Sequence, residues 1–88
     1  MLAVDHQGRV LLANDALRRS LGLQDPIGRH YMEAIRQREV AGLLEDILRT
    51  GERRATEVEV HHLRRLYSLT GAPFPGSEGG PHGAVVTF

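Results

Sequence analysis

The sequence predicts an α+β domain, a five-stranded antiparallel sheet with helices packed on one face. Three observations lead there. Two short apolar runs, Leu2–Val4 and Val10–Ala13, flank the polar tetrapeptide Asp5-His6-Gln7-Gly8. Residues 37–50 then place Val40, Leu43, Leu44, Ile47 and Leu48 at the spacing of an amphipathic helix. After Gly51 the pattern changes to strict alternation, and short connections join the C-terminal strands, as in an antiparallel meander.

The first two runs form a hairpin, with Gly8 supplying a residue that takes positive φ at low cost. Asn14 is suited to accept a bond from an orphan helix N–H, and Asp15 suits the first turn. Leu17 and Leu21 then share a face, Arg18 and Arg19 point away, and Gly22 is a good stop. Asp25-Pro26 breaks the chain. Short helical turns are expected over 27–35, with Tyr31, Met32 and Ile35 on one side. In the long helix, Glu45 and Arg49 are spaced for an ion pair worth a few tenths of a kcal/mol. Gly42 costs about 1 kcal/mol relative to alanine and marks a candidate site of close packing.

Thr56–His61 alternates as a strand with one wet face, and Leu63-Arg64-Arg65 reads as a turn. A further strand spans 65–72, with Tyr67 and Leu69 on one face, and Pro73 is expected to end it. Pro75–Gly83 is a loop by composition, and Ala84–Phe88 is the last strand. No repeat and no domain boundary is evident, so the 88 residues are expected to form a single domain, read as a fragment excised from a longer protein.

Composition narrows the function. The chain has 11 basic and 11 acidic residues, a balance unlike the basic surface of a nucleic-acid binder. Every basic residue is arginine, and the pairs at 18–19, 53–54 and 64–65 are interspersed with acids. Cysteine is absent, which removes disulfides, thiolate metal sites and a cysteine nucleophile. No apolar run approaches the ~18–20 residues of a membrane span, and no signal peptide is present, so a soluble piece is expected. A domain this small buries roughly 60–65% of its unfolded surface, leaving little room for a large ligand cavity.

The opening, Leu2 to Leu17 and then Leu21-Gly22-Leu23, resembles the start of a PAS domain. Ile27-Gly28-Arg29, Gly51-Glu52, Ala72-Pro73-Phe74 and the glycine-rich loop before the last strand extend this PAS-like resemblance along the chain. It is similar to PAS domains of bacterial sensor histidine kinases. The resemblance implies a cytoplasmic sensory or relay module, in a parent that is either free or membrane-anchored. Its partners would be the parent's other domains, a second copy of itself and a small-molecule ligand, with no nucleic-acid or membrane contact. The alternative is a ligand-free dimerisation scaffold of a kinase, cyclic-dinucleotide enzyme or transcription regulator, pairing through the outer sheet face, where Glu57, Glu59 and His61 would have to be tolerated.

No catalytic residue is assigned: Ser20, Ser68 and Ser77 lie in no elbow, and Gly79–Gly83 lacks the lysine and helix of a phosphate loop. No metal site is assigned either. His61 and His62 point to opposite strand faces, and His6 and His82 read as solvated loop residues. His30, beside Tyr31, is a weaker candidate for lining a site. No cofactor is expected. The flavin–cysteine and thioester chromophore chemistries of PAS domains need the missing cysteine, and the long helix lacks the histidine that haem-binding members use. The pocket candidates are Tyr31, Met32, Ile35, Leu44, Ile47, Leu48, Val58, Val60, Tyr67 and Leu69, where the inner sheet face meets the long helix. The same side chains are also the natural core, each worth about 1.5–3 kcal/mol when buried.

Overall fold

The computed structural model describes residues 1–60, 64–76 and 80–88. The chain runs β1 (Leu2–Val4), β2 (Val10–Ala13), α1 (Asp15–Leu21), α2 (Tyr31–Ala34), α3 (Arg38–Thr50), β3 (Arg54–Val60), β4 (Arg65–Phe74) and β5 (Gly83–Thr87). All strand pairings are antiparallel, in the order β2-β1-β5-β4-β3. The last three strands form the expected meander, and the first strand closes the sheet against the last.

Local chemistry fixes the element ends. Asp5 Oδ1 accepts from the backbone N–H groups of Gln7 and Arg9, each at 2.9 Å, and Gly8 completes the turn at φ 83°. A side chain at Gly8 would also run into the imidazole of His30, 2.6 Å from a built Cβ. Asn14 caps α1 by accepting from Leu17 N–H at 3.0 Å, and Gly22 ends that helix in the left-handed region. Gly51 ends α3 the same way.

Residues directly opposite one another in an antiparallel ladder share a sheet face. The inner face therefore carries Leu2, Val4, Val10, Val58, Leu69, Ala84 and Val86, all nearly or fully buried. Helix α3 lays Val40, Leu43, Leu44 and Ile47 on β3, β4 and β5. Leu17 and Leu21 of α1 close the core beside them.

Four expectations change. Pro73 does not end β4, which continues to Phe74 with Pro73 opposite Ala84. Beyond Gly71 the strand has no β3 residue beside it, so there it is an edge that admits proline. Strand β3 begins at Arg54 rather than Thr56; His61 and the turn residue Leu63 lie outside the described residues, while Arg64 turns at φ 51°. Arg49 pairs with Asp46 at 3.2 Å, one turn position nearer than Glu45. Gly42 marks no close packing among the described residues, where an added Cβ meets nothing within 4 Å.

Candidate functional site

The interface between α3 and the inner sheet face brings nine of the ten predicted pocket residues together. Tyr31, Ile35, Leu44, Ile47, Val58, Val60 and Leu69 are buried in one continuous cluster, with Leu48 and Tyr67 half-buried against it. Met32 is the exception, at 70% exposure. Helix α2 is a single turn, so Tyr31 and Ile35 fall on one side and Met32, about 100° around the axis, faces outward.

The interior is occupied by the protein's own atoms. Ile47 sits flush on Gly71 of β4, and a Cβ built at Gly71 would overlap the Ile47 Cδ1 methyl. The side chains of Leu44, Ile47, Val58 and Leu69 are 0–1% exposed. Glycine at position 71 therefore lets α3 approach the sheet closely, and Ile47 fills the space so gained. Tyr67 extends the packing outward, stacking on Phe88 with ring centroids 4.8 Å apart.

Tyr31 joins three elements. Its backbone N–H donates to Gly8 O at 2.8 Å, and its ring stacks on His30 at 4.5 Å. Burial pushes its phenol pKa up, and the nearby negative charge of Glu45 on α3 pushes in the same direction. His30 has a structural role here: its Nδ1 caps α2 by accepting from Met32 N–H at 3.2 Å.

His82 departs from its solvated reading. It is half-buried, with Nε2 3.0 Å from Ile47 O at the end of α3. A carbonyl only accepts, so Nε2 carries the proton and donates. Ile47 O also receives the Gly51 N–H at 2.8 Å, so the loop before β5 is tied to the terminus of α3. The sequence signal was a histidine in reach of a helix end, which no local pattern reveals. His6 is exposed in its turn, and His61 and His62 lie outside the described residues.

Two clefts lie away from this interface. One, of about 280 Å³, sits where Asp5, His6 and Leu11 meet Phe74, Pro75 and Pro81; a smaller one of about 170 Å³ is lined by Arg29, Glu33 and Arg36 among others. None of the predicted pocket residues lines either. Among the described residues no three His, Cys, Asp or Glu side chains gather as a metal site, and no helix is long and apolar enough to cross a membrane.

The order of elements, the sheet order and the helix laid across the inner face define a small α+β domain with an antiparallel sheet covered on one face. The family model for the PAS fold matches residues 1–88, and the chain belongs to that family. No curated protein and no solved structure matches it.

Proposed function

We propose that the chain is a sensory and relay module of a bacterial signal-transduction protein, regulating a histidine kinase, and that it works by shifting the seat of α3 on the sheet. PAS membership supports a sensory module; the kinase assignment rests on the likeness of its opening residues to such domains. The observation that carries the mechanism is Ile47 seated on Gly71. A ligand between α3 and the sheet would have to displace that side chain, so the packing favours regulation by partner contact over regulation by a resident small molecule. In this reading the domain is cytoplasmic, performs no catalysis itself and carries no cofactor.

A second reading, the ligand-free dimerisation scaffold, is favoured by the outer sheet face. Leu12, Ala3, Val85 and Ala72 lie side by side across β2, β1, β5 and β4. Leu12 is 48% exposed. Glu57 and Glu59 occupy the same face but on β3, at the far edge, so the carboxylates do not interrupt this apolar row.

Native mass spectrometry of the purified chain, beside a denaturing spectrum, tests the main reading. It predicts one or two chains with no adduct. A reproducible non-covalent adduct would overturn regulation by partner contact and give the mass of a ligand.

A further inference from the structure

The two edges of the sheet are finished differently. At the β2 edge, residues 28–31 fold alongside the strand: Gly28 N–H donates to Val10 O, Val10 N–H donates to Arg29 O, and Tyr31 N–H donates to Gly8 O, each at 2.8 Å. The β3 edge is seven residues long, and among the described residues no backbone group outside β4 bonds to it. A strand in this condition offers a row of N–H and C=O groups to another strand.

We propose that the β3 edge is a docking surface for a second copy of this chain, the two β3 strands pairing antiparallel about Thr56. Charge selects both the occupant and the register. Opposed residues share a face, so a pairing that keeps both buried faces on one side sets even numbers against even and odd against odd. Centring the pair on Glu57 opposes that carboxylate to itself, and centring it on Val58 opposes Glu57 to the partner's Glu59; both are repulsive. Centring it on Thr56 aligns residues 54–58 of each strand. Glu57 then faces the partner's Ala55, and the exposed Arg53 lies diagonal to the partner's Glu57, within reach of a long side chain. On the inner side Arg54, ion-paired with Glu52 of its own chain at 2.9 Å, faces the partner's Val58, so no like charges oppose one another there. The strand is thus self-complementary in one long register. The contact is small, so the association is weak and concentration-dependent.

The chain has no cysteine, so Thr56→Cys introduces a single thiol. Across an antiparallel pair, opposed Cα atoms are about 4.5–5.5 Å apart, within the span of a disulfide. Under mild oxidation T56C is expected to cross-link into a dimer faster than L66C, a control thiol on exposed Leu66 of β4. Sedimentation should show concentration-dependent association that R53E weakens about tenfold, since it sets an acid beside the partner's Glu57 twice per dimer. Circular dichroism checks that the R53E chain is folded. The proposal is overturned if T56C cross-links no faster than L66C, or if association survives R53E and is lost in L12E, which would put the contact on the outer sheet face.

Discussion

Tyr31 shows how one side chain carries several duties. Its ring fills core space, its backbone N–H closes the β1–β2 turn, and its hydroxyl end lies within the field of Glu45. Burial first and Glu45 second raise its pKa, so the folded chain holds the phenol proton more tightly than the unfolded chain. The associated stability is complete below about pH 10 and is lost as pH rises through the folded-state pKa. Urea midpoints between pH 8 and 11 should therefore fall more steeply for the native sequence than for Tyr31→Phe. Parallel curves would show that this phenol contributes nothing to the alkaline loss.

Helix α3 is the element on which the relay reading depends, and its two ends differ in kind. Its start, at Gln37, has no side-chain cap: Gln37 Nε2 donates instead to Leu21 O at 3.2 Å, tying α3 to the end of α1. Its last turn is held by Gly51 and by His82 from the loop before β5. Midway, Gly42 leaves the helix weaker than alanine would, because none of the described residues comes within 4 Å of the position of its absent Cβ. Gly42→Ala should therefore stabilise the domain by about 0.5–1 kcal/mol in urea denaturation. A loss of stability would mean that another surface packs on this glycine.

At the scale of the molecule, much of the fold was legible because it is written in local pattern. The alternation of Thr56–Val60, the apolar stripe of α3, and Asn14, Gly22 and Gly51 at helix ends each act within a few residues. What escaped was set by distant neighbours. Pro73 continues a strand because β3 has already ended beside it, and His82 finds its partner 35 residues away; Met32 faces out for a local reason, lying about 100° around α2 from Tyr31. The candidate site was legible as a list of side chains, since core and pocket residues share one period. Whether those side chains enclose space or fill it depends on Gly71, whose significance appears only when Ile47 is seen resting on it.

That seat is the central claim, and a double-mutant cycle in urea denaturation tests it most directly. Gly71→Ala should cost about 1–3 kcal/mol by overpacking against Ile47. Ile47→Val, which removes the Cδ1 methyl, should cost about 0.5–1.5 kcal/mol on its own. If the two groups touch as described, the double variant is less destabilised than the sum of the singles by about 1 kcal/mol or more. Additive losses would contradict the account, placing Ile47 away from Gly71 and leaving room between α3 and the sheet for a ligand.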